Sequence, residues 1–189
     1  QARFWASSYE DKRPELTNAQ RKMLSHYDNA TLYNDSIVAQ IVKRFQKQDA
    51  IVIYVPDHGE ECYEENRGFI CRNHSAEIDW PLAHYEFEIP FWIYCSPKYI
   101  RNHRDIYRQI RKAKDKRFMT DALPHLLLYL AGIETPTYKE EYNILSPKYD
   151  EMRPRILKNS ADYDKLRDAH LEKIKKEESK KVKKKERRN

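Results

Sequence analysis

The chain has 189 residues, of which 35% are charged, and a mean hydropathy of −0.98, a composition too polar for a membrane protein. No apolar run reaches the roughly 20 residues that a transmembrane helix needs. A chain of this length is expected to form one domain with a substantial core. Most of the net charge of +6 lies between Asp168 and Asn189, where ten Lys/Arg accompany five Asp/Glu. The remainder is close to neutral, which argues against a basic nucleic-acid-binding groove across the fold.

A long helix is predicted in the first quarter of the chain. Thr17 and Gln20 have the spacing of a capping box, in which each side chain bonds the backbone N–H of the other residue. A helical pattern follows to about Gln48. Its apolar stripe is strongest in the second half, where it comprises Ile37, Val38, Ile41, Val42 and Phe45.

A strand followed directly by polar residues is the most informative stretch. Residues 51–55 are apolar and mostly β-branched, which is typical of a strand buried on both faces of a parallel sheet. Pro56 should end this strand. Asp57 and His58 then lie at its carboxyl end, where open α/β sheets bind their ligands. By spacing alone the pair is a candidate metal site, or else a histidine oriented by its neighbouring carboxylate.

The rest of the chain predicts an alternation of loops, strands and helices. Residues 61–80 show little periodicity and predict a long functional or mobile loop. The later elements are a strand within Phe87–Cys95, a basic amphipathic helix over Asp105–Lys116, a helix ended by Gly132, a short strand at Arg155–Leu157 and a Lys/Glu-rich helix or disordered tail after Leu166. This order predicts an α/β fold with a largely parallel sheet.

Three cysteines leave at least one thiol unpaired. Cys62 and Cys71 flank a short loop and either form a disulfide in an oxidising compartment or remain two free thiols. Cys95 lies in an apolar run and is expected to be a small core residue. Because no CxxC spacing occurs, a zinc site built from cysteines is not expected.

Several motifs, taken together and in order, resemble a known family. They are Tyr27-Asp28-Asn29-Ala30-Thr31-Leu32-Tyr33-Asn34-Asp35, Val55-Pro56-Asp57-His58-Gly59-Glu60, Arg72-Asn73-His74 and Phe87-Glu88-Ile89-Pro90-Phe91-Trp92-Ile93-Tyr94-Cys95-Ser96-Pro97. Over about residues 14–166 the chain resembles the catalytic domain of phosphoethanolamine transferases, the sulfatase-like members of the alkaline phosphatase superfamily. The resemblance implies a three-layer αβα sandwich with a mostly parallel sheet. Residues 1–166 would be its C-terminal portion and residues 167–189 a basic helical or disordered tail.

The resemblance also implies a function. Such enzymes use zinc to transfer phosphoethanolamine from phosphatidylethanolamine to lipid A, a core sugar or another envelope acceptor, at the periplasmic face of the bacterial inner membrane. In the family a threonine nucleophile forms a covalent intermediate. By the resemblance, that threonine, a further acidic zinc ligand and the membrane anchor would lie in an N-terminal half outside this sequence, and neither Thr31 nor Thr120 is assigned as nucleophile. We therefore expect the chain to be inactive by itself.

Four residues receive roles from the resemblance. Asp57 and His58 would be two of the zinc ligands. His74 would be the catalytic histidine on the substrate side, which binds phosphoryl oxygens or moves a proton. Glu60 is placed behind the ligands, where it would orient His58.

Two other functions stay open on sequence grounds. A sulfatase or phosphodiesterase-type hydrolase shares the fold and an Asp-His metal pair. Alternatively, the basic tail makes the chain a non-catalytic module that binds anionic lipid. The simpler interpretation of the tail is a solvated helix with i,i+4 pairs such as Glu172–Lys176.

Overall fold

The computed structural model describes residues 2–71 and 77–186 in two units. Unit 1 comprises residues 2–56, 60–71 and 90–104, and unit 2 comprises residues 57–59, 77–89 and 105–186. The helices are α1 (Asn18–Phe45), α2 (Trp80–Phe87), α3 (Pro97–Asn102), α4 (Arg104–Ala113), α5 (Leu123–Ala131) and α6 (Tyr163–Glu186). The strands are β1 (Ile51–Tyr54), β2 (Glu61–Cys62), β3 (Phe69–Cys71), β4 (Trp92–Cys95), β5 (Ile156–Leu157) and β6 (Ala161–Asp162). None of the helices described is both long enough and apolar enough to span a bilayer.

Helix α1 of unit 1 begins at the predicted capping box. Thr17 Oγ1 accepts from the Gln20 N–H at 3.3 Å, and Gln20 Oε1 accepts from the Thr17 N–H at 2.8 Å. These two bonds satisfy backbone donors that the first helical turn leaves without partners. The N-terminal half of α1 contributes Leu24 to a core that also contains Tyr9 and Leu16.

The C-terminal half of α1 is less buried than its apolar stripe predicts. Ile41 and Phe45 keep 42% and 36% of their surface exposed. The 3.6-residue spacing shows that one face is apolar, but it does not show how completely that face is covered. The apolar stripe in the second half of α1 therefore lies largely outside the core.

The two strongest strand predictions pair with each other. β1 and β4 form a two-stranded sheet in which Ile51 lies opposite Cys95 and Tyr54 lies opposite Trp92. The pairing is antiparallel, so the prediction of a parallel neighbour for β1 is wrong within the described residues. The apolar run indicates that both faces of a strand are apolar. It does not indicate the direction of the neighbouring strand, which depends on how the chain connects the two strands. The residues of β1 are also only partly buried.

The other two sheets of the described residues are short antiparallel ribbons, β2–β3 and β5–β6. The prediction of a mostly parallel sheet therefore fails for every strand pair that the structure describes. The strand predicted at Arg155–Leu157 is present as β5, and its partner β6 leads directly into α6.

In unit 2 the core forms between α2 and α6. Asp79 caps α2 by accepting from the Leu82 N–H at 3.0 Å. Leu82 and Ala83 are buried with Leu157 and Tyr163, and Trp80 packs against this cluster. Periodicity did not reveal α2, because its eight residues follow a polar stretch and supply barely two turns.

An arginine cluster fixes the start of α6. Arg155 binds the Asp164 carboxylate through two nitrogens, at 2.6 and 3.2 Å, and Arg117 and Arg167 approach the same carboxylate. The strongest of these interactions, the hydrogen bond from Arg155, lowers the pKa of Asp164. Helix α6 then runs to Glu186, so the boundary expected between residues 166 and 167 lies inside one continuous helix.

Helix α5 ends where the sequence indicated. Gly132 has φ of 66°, a left-handed conformation that glycine adopts without the steric cost of a Cβ. Its N–H bonds the Tyr129 carbonyl at 3.1 Å, and the following N–H of Ile133 bonds the Leu128 carbonyl at 2.9 Å. This is the C-terminal cap predicted from the glycine alone.

Candidate metal centre

The Asp57–Gly59 segment is held against α2 in unit 2. The Gly59 N–H donates to the Glu86 carbonyl at 2.8 Å. A Cβ atom on residue 59 would lie 2.2 Å from the Tyr85 carbonyl oxygen, a separation that real side chains do not reach. Only glycine therefore allows this segment to approach the backbone of α2 so closely. The sequence placed chemistry at Asp57 and His58 but did not assign Gly59 this role.

The ring of His58 is fixed by the main chain. Its Nδ1 atom lies 2.7 Å from the Gly59 carbonyl oxygen. Since a carbonyl only accepts hydrogen bonds, Nδ1 carries a hydrogen, and in the neutral ring Nε2 then has a free lone pair. Metal-binding histidines are commonly held in this way, with one ring N–H donated to a backbone carbonyl.

The free Nε2 of His58 faces the neighbouring carboxylate. Nε2 lies 3.6 Å from Asp57 Oδ2, and Asp57 Oδ1 accepts from the His58 N–H at 3.2 Å. Asp57 is 83% exposed and His58 24% exposed in their side chains. The tight turn thus brings together two side chains that an extended strand would have sent to opposite faces.

These two residues fit zinc in donor type and in spacing. Zinc is bound by imidazole nitrogen and carboxylate oxygen at about 2.0–2.2 Å, and two ligands of a tetrahedral ion are then about 3.4 Å apart. The observed 3.6 Å between Nε2 and Oδ2 is close to that value. A zinc site takes three or four protein ligands. Within residues 2–71 and 77–186, no group of three or more His, Cys, Asp or Glu side chains converges on one point.

The other predicted site residues stay untested. His74 belongs to residues 72–76, which lie outside the described part of the chain. Glu60 is half-buried and is grouped with unit 1, so its orienting effect on His58 remains a prediction. The Cys62–Cys71 alternatives also remain open, because the side chain of Cys71 is not described. Burial raises the pKa of the Cys95 thiol, as expected for a partly buried structural cysteine.

The motif on α1 secures the N-terminal segment. Asn29 Oδ1 accepts from the backbone N–H groups of Arg3 and Phe4, and Asn29 Nδ2 donates to the Phe4 carbonyl at 2.8 Å. The Tyr9 hydroxyl donates to Asp28. Burial, followed by this hydrogen bond, raises the pKa of Tyr9. Asp28 and Asn29 are therefore explained by packing of the chain rather than by a site.

Comparison with known proteins identifies the class. Residues 3–133 match the family model described as Sulfatase. The match covers more than half of the chain, and the chain belongs to the sulfatase family.

Individual relatives show which enzymes of the sulfatase family the chain resembles. The chain is 30% identical over 141 residues to phosphoethanolamine transferase EptC of Escherichia coli (strain K12). The matched region covers 73% of this chain and 23% of the relative. It is 31% identical over 99 residues to the Kdo(2)-lipid A phosphoethanolamine 7''-transferase of the same organism, covering 51% of this chain and 16% of that protein. The chain thus spans about a quarter or less of the length of these relatives. The resemblance to phosphoethanolamine transferases is confirmed.

Solved structures agree on the fold. The C-terminal periplasmic domain of Escherichia coli EptC matches with a TM-score of 0.64 and 28% identity, over 80% of this chain and 43% of that domain. A zinc complex of the same domain matches equally well, over 42% of its chain. The membrane protein lipooligosaccharide phosphoethanolamine transferase A of Neisseria meningitidis has a TM-score of 0.53 at 24% identity and shows likeness of fold alone, over 69% of this chain and 24% of that one. The sulfatase-like fold is therefore confirmed.

Proposed function

We propose that this protein takes part in zinc-dependent transfer of phosphoethanolamine from phosphatidylethanolamine to lipid A, a core sugar or another envelope acceptor. The observation that carries the proposal is the His58 ring, whose free Nε2 faces Asp57 Oδ2 at 3.6 Å. The relatives named as phosphoethanolamine transferases support the reaction class, and the zinc complex among the similar structures supports the metal. The periplasmic origin of those structures supports the same location for this chain.

Asp57 and His58 are the proposed zinc ligands. Zinc held there would supply positive charge against phosphoryl oxygens and lower the pKa of a bound hydroxyl. The chain's own contribution is to arrange the donors: the Gly59 carbonyl keeps the proton on Nδ1 of His58, and the close approach of Gly59 to α2 holds the turn. His74 is the proposed contact to the phosphoryl group, and Glu60 the proposed orienting residue.

The position of this chain within a larger domain is also a proposal. We assign residues 1–166 to the C-terminal portion of a three-layer sulfatase-like sandwich, residues 167–189 to its basic tail, and the threonine nucleophile and membrane anchor to further segments of the protein. Support comes from the Escherichia coli domain, of which this chain covers 43%, and from the partly exposed Ile41 and Phe45. A second part of the domain that covers this apolar face would complete the core.

Transfer is favoured over hydrolysis by the relatives, since the curated proteins quoted above are named transferases. The sulfatase family as a whole does not separate these outcomes. Mass spectrometry of lipid A incubated with the full-length protein and phosphatidylethanolamine separates them directly. Transfer adds phosphoethanolamine to the acceptor, whereas a hydrolase releases it to water and leaves the acceptor unchanged.

Calorimetric titration with zinc tests the metal assignment in this chain. We expect one-to-one binding that is lost in Asp57→Ala and His58→Ala. A matched control exists in unit 1, where His103 Nε2 lies 3.3 Å from Asp49 Oδ1, so that the chain offers a second His–Asp pair. His103→Ala should bind zinc as the unchanged protein does. Equal affinity in His58→Ala and the unchanged protein would contradict the assignment. If this chain binds no zinc, the ligands assigned to other segments are required, and the same variants are compared in the full-length protein.

A further inference from the structure

The near-neutral charge of residues 1–167 conceals a strongly basic segment. Between residues 97 and 117 the sequence has nine Lys/Arg and only two Asp/Glu. Most of these cations lie on or beside α4. The remaining residues outside the tail are correspondingly acidic, so the whole-chain charge does not reveal the segment.

Helix α4 collects three cations of unit 2 on one face. Arg108, Arg111 and Lys112 are spaced by three and one residues, which places them side by side on a helix of 3.6 residues per turn. All three are exposed. We call this set the α4 cationic stripe.

The opposite face of α4 holds the helix on the protein. Ala113 is buried, and Ile106 and Ile110 are partly buried. The burial pattern therefore settles which face of the helix meets solvent. The α4 cationic stripe is presented outward by a helix whose apolar side is already packed.

Other arginines of unit 2 are paired with carboxylates, and the stripe mostly is not. Arg153 binds Asp121 through two nitrogens at 2.6 and 2.7 Å, and Arg155 binds Asp164. In the stripe, Arg108 contacts Asp105 at 2.5 Å, but both side chains are well exposed, so solvent screens the pair and it adds little to the stability of the fold. Among the described residues, the rest of the stripe has no ion-pair partner.

Helix α6 carries more charge but does not present it from a packed surface. Its residues from 171 to 181 are exposed all round, and the five lysines there are interspersed with three glutamates, as in the pair of Lys176 with Glu172 at 3.6 Å. Such an arrangement is typical of a solvated helix. The tail considered in the sequence analysis is therefore a weaker candidate for a charged surface than α4.

We propose that the α4 cationic stripe docks the protein on the surface of an anionic lipid bilayer. Arginine binds phosphate with two parallel hydrogen bonds, and a row of such side chains on a packed helix matches a plane of lipid phosphates. Each cation close to an anionic bilayer strengthens binding about fivefold. The choice of a bilayer over another polyanion rests on the proposed function, in which the phosphoethanolamine donor is a lipid.

Co-sedimentation with vesicles tests this surface. The full chain is mixed at low salt with vesicles of phosphatidylcholine and phosphatidylglycerol, and with vesicles of phosphatidylcholine alone. The triple variant Arg108→Gln, Arg111→Gln, Lys112→Gln removes three charges and should lower the partition coefficient about 100-fold. The matched triple Lys173→Gln, Lys175→Gln, Lys176→Gln removes the same charge from α6. It should change the partition coefficient by less than about threefold.

Several results would overturn the proposal. They are equal losses in the two triple variants, binding to phosphatidylcholine alone, and tighter binding of duplex DNA than of the anionic vesicles. Circular dichroism of both triples confirms that they remain folded. Asp57→Ala should bind the vesicles unchanged, so a failed zinc assignment leaves this result interpretable. Conversely, if the unchanged chain binds zinc but does not bind the anionic vesicles, the docking surface alone is refuted.

Discussion

Replacing Gly59 by alanine isolates the contact that holds the proposed metal ligands. The new Cβ would lie 2.2 Å from the Tyr85 carbonyl oxygen, so the segment must move roughly 1 Å to reach ordinary van der Waals contact. That movement breaks or stretches the 2.8 Å bond from the Gly59 N–H to the Glu86 carbonyl. The lost hydrogen bond costs about 1 kcal/mol, and the steric strain adds to it.

The same movement shifts the carbonyl that fixes the His58 ring. Because zinc needs its donors at defined positions, and disturbing the groups that orient ligands typically lowers metal affinity about 10- to 100-fold, we expect at least about a tenfold loss of affinity. Calorimetry gives the affinity, and urea denaturation gives the free energy of unfolding.

Gly132→Ala is the matched control. This residue has φ of 66° but open space where a Cβ would be placed, so the change costs about 1 kcal/mol of backbone strain. It should lower stability without altering zinc affinity. If Gly59→Ala binds zinc as tightly as the unchanged protein, or if both glycine variants lose affinity alike, Gly59 does not position the site.

Two further predictions concern the packing of α6. Asp164→Ala leaves three arginines without their shared carboxylate and should lower the free energy of unfolding at neutral pH by about 2 kcal/mol, measured in urea. The hydrogen bond from Arg155 lowers the pKa of Asp164 in the folded protein. The stabilisation by Asp164 is therefore present above the unfolded pKa of about 4 and disappears as the pH falls through the lower folded pKa. If the stability difference between Asp164→Ala and the unchanged protein persists undiminished at low pH, this linkage is wrong. Burial, followed by a hydrogen bond from its hydroxyl to Glu88, raises the pKa of Tyr163 to about 12, so its stabilisation should be complete below about pH 10 and fade as the pH rises toward that value. Subtracting the tyrosinate absorbance of Tyr163→Phe from that of the unchanged protein isolates this titration, and a midpoint near 10 would show that the contact is absent.

Local signals predicted much of the secondary structure. Thr17 and Gln20 predicted the start of α1, and Gly132 predicted the end of α5. Both depend on the chemistry of a few adjacent residues, which a sequence displays directly. The apolar runs likewise marked β1 and β4.

Properties that depend on the path of the chain were not predictable in this way. The antiparallel pairing of β1 with β4 is set by the connection between them, and an apolar run is compatible with either direction. Helix α2 has only eight residues, and its best sequence signal was the cap residue Asp79 followed by Pro81 in the first turn. Short elements of this kind give too little periodicity to recognise.

The same distinction applies to the candidate site, where residue types were predictable and main-chain contacts were not. Residue types and the family resemblance pointed to Asp57 and His58, because imidazole and carboxylate are zinc donors. The Gly59 carbonyl that selects the His58 tautomer is a main-chain atom, and no residue type reveals it. The α4 cationic stripe was hidden for a different reason, since net charge sums over the acidic remainder of the chain.

The measurement that tests the central claim most directly is anomalous diffraction from crystals grown with zinc, recorded on both sides of the zinc absorption edge. We predict a peak within about 2.0–2.2 Å of both His58 Nε2 and an Asp57 carboxylate oxygen, with Nδ1 of His58 still bonded to the Gly59 carbonyl. A zinc peak elsewhere, or a His58 ring turned so that Nε2 points away from the ion, would contradict the assignment of this turn as the metal centre.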